Sequence, residues 1–173
     1  MTRVFDLIAV IAVAIVLLLP KPSLEAKPAL VGEKIELDRI AALEDARFAD
    51  PQSIDHAIDL ADAYMRLRHF DWALATLAQF ADANDHRVHL LRATAYADRL
   101  DPERAVDEIK RAEKACDAEG PDKCGDAERV RMSIVARPMQ ALIDQKIDPA
   151  QQPRQAREAV DQVLHHAKAS DKH

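Results

Sequence analysis

The chain has 173 residues, 49% of them hydrophobic but only 4% aromatic, with three glycines and a net charge of -6. A core so short of aromatic side chains is built from Ala and Leu, which favours close-packed helices over a sheet. The acidic balance, with no basic stripe, argues against nucleic acid as a partner and reads as a solubility feature.

The first element is an apolar run from Val4 to Leu19, interrupted only by Asp6. Its unbroken part, Leu7–Leu19, makes about 20 Å of helix. A bilayer core is about 30 Å thick, so the run is short for a span and within range for a signal-peptide core. It ends in Pro20-Lys21-Pro22-Ser23 without an Ala-x-Ala cleavage site, and Leu24-Glu25-Ala26 is a weak substitute. No cysteine follows it, which excludes a lipoprotein anchor. Asp6 lies one turn from the start, where its carboxylate reaches the interface and lengthens the usable span. We therefore expect residues 1–20 to be an uncleaved single-pass anchor; a cleaved signal and a buried core helix are the alternatives. Arg3 and a very short tail favour the tail inside and the domain outside the cytoplasm.

Residues 21–32 hold two prolines, Pro22 and Pro28, and no periodicity, which predicts an extended stalk. Glu33–Ala49 reads as a first helix with Leu37, Ile40, Ala41 and Leu43 on one face. Asp-Pro then occurs at Asp50-Pro51, Asp101-Pro102 and Asp148-Pro149, each before a helical pattern. Asp as N-cap followed by proline at the first helical position is a start signal. Helices are expected at 52–67, 71–83, 86–99 and 102–117, with Asp85 capping the third. A Gly-Pro turn follows at 117–125. Asp126–Lys146 is helical again, with Val130, Ile134, Met139 and Leu142 as core positions and a kink at Pro138. Gln152–Ala167 closes the pattern, with Ala156, Val160, Val163 and Leu164 facing inward. Residues 169–173 are a frayed tail.

Between Ile54 and Cys116 one hairpin pattern occurs twice. Ala61, Tyr64, Ala73, Leu77 and Phe80 align with Ala93, Tyr96, Ala105, Ile109 and Ala112 at one offset, 32 residues. A small residue lets two helices approach closely. A Tyr three positions on lies on the same face and fills the space beside the contact. Counting back one repeat sets Ala41 against Ala73 and Phe48 against Phe80, but Asp45 against Leu77. Glu33–Ala49 is therefore read as a capping helix rather than half a repeat. The pair at 126–168 makes a third, divergent hairpin, in which either Ala156 or Ala159 takes the small position.

This pattern resembles the tetratricopeptide repeat (TPR), a helix–turn–helix unit of 34 residues. The resemblance covers residues 54–85 and 86–117 well, and the divergent hairpin 126–168 weakly, within a domain spanning 33–168. It implies an all-α fold: a short right-handed α-solenoid of TPR-like hairpins behind an N-terminal transmembrane helix. It also implies a concave groove lined by the first helix of each pair. Carried over, the groove positions are Ile58, Asp62, Met65 and Arg66 from the first repeat, and Leu90, Thr94, Ala97 and Asp98 from the second. Ile58, Asp62 and Leu91 stand where chaperone-binding members carry Lys, Asn and Asn, so a carboxylate clamp is not expected. The mixture of apolar and acidic groups suits an amphipathic helix or an extended apolar segment. In so short an array, the alternative is that these residues pack on the capping helix.

Cys116 and Cys124 bracket the Gly-Pro turn. In an oxidising compartment a disulfide closing that loop is the simplest reading, worth about 2–3 kcal/mol; a reduced pair is the alternative. Two cysteines do not make a zinc site. His165, His166 and His173 form no chelating set, because adjacent helical residues point about 100° apart. Asp55, Asp59 and Asp62 share a stripe but read as a solvated face. No phosphate loop, Gly-x-Ser-x-Gly or His-Glu-x-x-His occurs. The expectation is a scaffold without cofactor or metal, binding a protein or peptide partner at the bacterial inner membrane through an anchor at residues 4–19. A self-associating structural role is the rival, and an enzyme a distant third.

Overall fold

The computed structural model describes residues 31–170. The expected anchor, most of the stalk and the end of the tail lie outside them. Among the described residues there are seven α-helices, one 3-10 turn and no strand: α1 (Val31–Ala49), α2 (Ile54–Arg66), α3 (Phe70–Leu77, continued by the 3-10 turn Ala78–Phe80), α4 (His86–Asp98), α5 (Pro102–Glu119), α6 (Asp126–Asp144) and α7 (Pro153–Ser170). None of these helices is long and apolar enough to cross a membrane.

Local chemistry explains the starts. Asp85 caps α4 by accepting from the Arg87 N–H at 2.9 Å. Asp101 caps α5 by accepting from the Arg104 N–H at 3.4 Å, with Pro102 in the first turn. The other two Asp-Pro pairs do not begin helices. Ser53, not Asp50, caps α2, accepting from the His56 N–H at 3.2 Å. Asp50 instead accepts from the Gln52 N–H at 3.2 Å. Asp148 likewise accepts from the Ala150 N–H at 2.9 Å, and α7 waits until Pro153. An Asp side chain closes a local turn as readily as it caps a helix, so the dipeptide alone was ambiguous.

Three turns share one hydrogen-bond pattern. The N–H groups of Leu67, Arg99 and Gln145 donate to the carbonyls of Ala63, Ala95 and Ala141 at 3.4, 3.2 and 3.1 Å. Those of Arg68, Leu100 and Lys146 donate to Met65, Ala97 and Ile143 at 2.9, 2.9 and 3.0 Å. Those of His69, Asp101 and Ile147 reach back to Tyr64, Tyr96 and Leu142 at 2.9, 2.9 and 3.0 Å. The middle residue is left-handed in each, with φ of 60° at Arg68, 55° at Leu100 and 54° at Lys146. This ties up the orphan carbonyls at the ends of α2, α4 and α6 by one device.

The turns fix the register of the third hairpin. Phe70 and Pro102 begin their helices two residues after the left-handed position; Pro153 begins seven residues after it. The third hairpin therefore carries five extra residues in its turn. Allowing for them, Ala156 aligns with Ala73 and Ala105, Val160 with Leu77 and Ile109, and Val163 with Phe80 and Ala112. Ala73, Ala105 and Ala156 are all buried. Before the turn, Met139 takes the place of Ala61 and Ala93, and Leu142 that of the tyrosines. Met139, Leu142 and Ala156 share one apolar cluster.

The helices pack in sequence: α2 on α3, α3 on α4, α4 on α5, α5 on α6 and α6 on α7, with α2 touching α4 and α4 touching α6. α1 joins the first hairpin through Ile40 and Leu43. It also joins through a Tyr64–Glu44 hydrogen bond and the Arg47 guanidinium, 5.2 Å from the Phe80 ring centre. Burial, and the Glu44 carboxylate beside it, push the Tyr64 hydroxyl up to about 12.

Some expected core positions are exposed. On α1, Leu37 and Ala41 are exposed and Phe48 is 87% accessible; only Ile40 is buried. On α6, Val130 (56%) and Ile134 (53%) are exposed while Met132 is buried against Cys116 and Cys124. The real stripe is Met132, Val135, Met139 and Leu142, because the disulfide-closed loop draws the start of α6 around by that face. Leu164 on α7 is also exposed. The second helix of the first hairpin stops short of 83, ending in the 3-10 turn at Phe80.

Candidate partner-binding face

The packing positions of the two clear repeats cohere. Ala61, Tyr64, Ala73, Leu77 and Phe80 share one cluster, and Ala93, Ala105, Ile109 and Ala112 are buried. Tyr96 is half-buried, with Arg104 and Arg92 at 5.6 and 5.9 Å from its ring centre. Small residues at the crossings bring α2 against α3 and α4 against α5, and so set the first helices side by side.

The apolar positions assigned to the groove are packing residues. Ile58 and Met65 are half-buried in the cluster that holds Ile40 and Leu43 of α1. Leu90 packs with Val135 and Ala136 of α6, and Ala97 with the cluster around Leu142. What stays open on this face is polar. Arg66 donates to Asp62 at 2.9 and 3.0 Å. The Thr94 hydroxyl donates to the Leu90 carbonyl at 2.8 Å, and Asp98 is exposed. The face therefore presents two carboxylates, one paired guanidinium and a hydroxyl rather than an apolar trough.

Cys116 and Cys124 are joined by a disulfide, with their Cα atoms 5.2 Å apart and both side chains buried. Gly120 sits inside the loop at φ 81°, a conformation that glycine meets without steric cost. Its N–H donates to the Cys116 carbonyl at 3.1 Å and closes α5.

A cleft of about 650 Å³ lies between the second and third turns. Leu100, Pro102, Leu142, Ile147 and Pro149 line it, with Lys146 at its edge. The five extra residues of the third turn make its outer wall. The corresponding space between the first two turns is bridged by the Arg99–Asp71 ion pair.

Two buried histidines were not foreseen. On α4, the His86 backbone N–H donates to Glu119 at 2.9 Å, and its ring Nδ1 lies 2.9 Å from the other oxygen of that carboxylate. One turn later, His89 Nδ1 lies 2.8 Å from Glu108 Oε2, and Arg92 donates to Glu108 Oε1 at 2.9 and 3.0 Å. Burial raises the Glu108 carboxyl, but the bonds from His89 and Arg92 outweigh it and leave it below the usual range. The signal was available: His86 and His89 stand one turn apart on the face of α4 that carries Ala93, and Glu108 sits beside Ala105, Ile109 and Ala112. Ligand atoms of Asp85, His86 and Glu119 lie within 4.8 Å of one another. All three are already engaged: Asp85 caps α4 and binds Arg87 at 2.7 Å, and His86 and Glu119 bond each other. Burial raises the Asp85 carboxyl, and the Arg87 bonds bring it below its ordinary value. The arrangement joins helix ends.

Comparison with protein-family models, with curated proteins and with solved structures finds no match to this chain.

Proposed function

We propose that the chain is a membrane-tethered, TPR-like protein–protein interaction scaffold of the cell envelope, non-catalytic and without cofactor. The observation that carries this reading is the turn shared by three successive hairpins, with a buried alanine at one shared register position, Ala73, Ala105 and Ala156. Helical hairpins stacked on this plan into a short α-solenoid bind partners along the face of their first helices. The Cys116–Cys124 bond fits an oxidising compartment, which supports placing the domain outside the cytoplasm. An anchor at residues 4–19 in the inner membrane would hold the domain at the surface and raise its effective concentration for partners there.

The polar groove positions are Asp62 and Thr94, which are half-buried, and Arg66 and Asp98, which are exposed, so a partner segment bearing basic as well as apolar groups suits the face better than a wholly apolar one. The test is capture of crosslinked partners by the full-length chain beside an Asp62→Lys/Asp98→Lys variant. Loss of a captured protein with an unchanged melt supports the reading. Identical capture by both chains rejects it.

One observation favours the structural rival. Val130 and Ile134, four residues apart on α6, are both more than half exposed and form an apolar strip on the third hairpin. Self-association through that strip predicts a mass that rises with concentration in detergent and is lost on Ile134→Glu.

A further inference from the structure

The outward face of the second helices changes character along the chain. By the register of the shared turns, Trp72 and Ala75 of α3 stand where α5 has Arg104 and Asp107 and α7 has Gln155 and Glu158, and all of these are exposed. Stacking hairpins therefore does not require apolar groups there, and only the first hairpin has them. Trp72 is the chain's single tryptophan and is 60% accessible. Phe48, Tyr64, Phe70, Trp72 and Phe80 all lie in α1 and the first hairpin, and Tyr96 is the only Phe, Tyr or Trp that follows them.

The neighbouring helix extends this face. Leu37, Ala41, Glu44 and Phe48 follow helical spacing, which sets them on one stripe of α1. All four are exposed, Phe48 at 87% and Leu37 at 47%. The Tyr64 hydroxyl donates to Glu44 of that stripe, and the Trp72 ring lies edge-on to Tyr64 with centres 5.4 Å apart. Further along α3, the Gln79 side-chain amide donates to the Pro51 carbonyl, just past the end of α1, at 2.7 Å. Leu37, Ala41, Phe48, Trp72 and Ala75 thus form one exposed apolar face, and it uses none of the groove positions. The carboxylates inside it are engaged, Glu44 by the Tyr64 hydroxyl and Asp71 by Arg99. Asp38 and Asp45 are exposed and flank the stripe on α1.

We propose that this face docks on the surface of the lipid bilayer, with Trp72 and Phe48 seated at the headgroup level. The inference rests on the membrane-tethered reading. Residues 20–30 separate the apolar run, which ends at Leu19, from the start of α1. Fully extended they reach about 40 Å, so an anchored chain holds the start of α1 near the bilayer and raises the effective concentration of the face there. Tryptophan favours this boundary because its ring is apolar while its N–H stays hydrated. Asp38 and Asp45 beside the stripe make a zwitterionic surface a better host than an anionic one. The face has no surplus of cations, so its docking does not weaken with salt.

The test uses the full-length chain in phosphatidylcholine vesicles with brominated acyl chains, and Trp72 is the reporter. Flotation with the vesicles reads the tether, and bromine quenching of Trp72 reads the docking. The expected result is co-flotation, a quenched Trp72 and its shielding from iodide in the water, with the quenching unchanged in high salt. A Leu37→Ser/Phe48→Ser variant keeps the reporter and alters only exposed side chains. It should float and melt like the wild type and lose the quenching. A chain that floats with Trp72 unquenched and open to iodide overturns the docking and leaves the tether standing. Trp72 shielded from iodide yet unquenched means that protein, a partner or a second copy, covers the face, and overturns lipid as its occupant. Equal quenching in the variant overturns the role of the face, since the tether alone would then bring Trp72 to lipid. A chain that does not float overturns tether and docking together.

Discussion

At the scale of single residues, the most consequential side chain is Glu108. It joins a histidine and an arginine inside the second hairpin, and removing its charge takes from the Arg92 guanidinium the carboxylate that it shares with the buried His89 ring. Breaking a buried ion group in this way costs about 3–5 kcal/mol. Glu108→Gln is expected to lose about that much stability at neutral pH, measured by denaturant unfolding. The pH dependence has a definite sign. A carboxyl lowered on folding contributes stability above its ordinary range, and the contribution drains away as pH falls through the lowered value. The acid limb of the wild-type stability curve should therefore be flatter in Glu108→Gln. An equal slope in both chains would show that Glu108 is not the group responsible. Lys146 gives a prediction of the opposite direction. It is exposed and left-handed, a conformation that costs a side chain about 1–2 kcal/mol and glycine nothing. Lys146→Gly should raise stability by about 0.5–1 kcal/mol despite the added freedom of the unfolded chain.

At the scale of elements, the helix crossings decide whether the hairpins form. Ala61 and Ala93 are fully buried where the first helix of a hairpin meets its neighbours. A tryptophan at either site has nowhere to go, and each substitution should cost about 3 kcal/mol or more through overpacking. The chain's single tryptophan, Trp72, reports on this directly. It lies edge-on to Tyr64 with ring centres 5.4 Å apart, across the α2–α3 contact. Its fluorescence should change at the same midpoint as the helical signal. The disulfide acts at the joint between the second and third hairpins, where it closes an eight-residue separation. Reduction should lower stability by about 2–3 kcal/mol, and a cysteine-free variant should show no response to reductant.

The elements were also where the sequence was most and least legible. The 32-residue offset placed four helices and their small-residue contacts, because a close crossing tolerates few side chains and so leaves a mark on the chain. Asp85 and Asp101 were readable as caps for a similar reason. The third hairpin was obscured by the five extra residues in its turn, which broke the count between α6 and α7. The turn itself, with left-handed Arg68, Leu100 and Lys146, was invisible, since no glycine announces it. The core face of α6 was misread because helical spacing fits Val130 and Ile134 as well as it fits Met132 and Val135. Only the disulfide-closed loop selects between them. Position in the repeat left Ile58, Met65 and Leu90 between groove contact and packing, and all three are half-buried against the clusters. An apolar side chain on a first helix reads as a ligand contact in a long array and as packing in a short one.

At the scale of the whole molecule, three hairpins and a leading helix leave a narrow, largely polar face on the first helices. α1 takes up the apolar positions of the first hairpin and α6 those of the second. What remains is charged and bounded by Asp62, Arg66, Thr94 and Asp98. On this account, affinity for a partner depends on complementary charge at the face and on concentration at the membrane. Binding should therefore weaken as salt is raised.

The most direct measurement is site-specific photo-crosslinking in living cells from the full-length chain, with the reactive side chain at Asp98 on the proposed recognition face or at Lys110 on the exposed side of α5. The account predicts an adduct with another protein from Asp98 and none from Lys110. Adducts of equal yield from both positions, or an adduct from Asp98 only with a second copy of this chain, would contradict it.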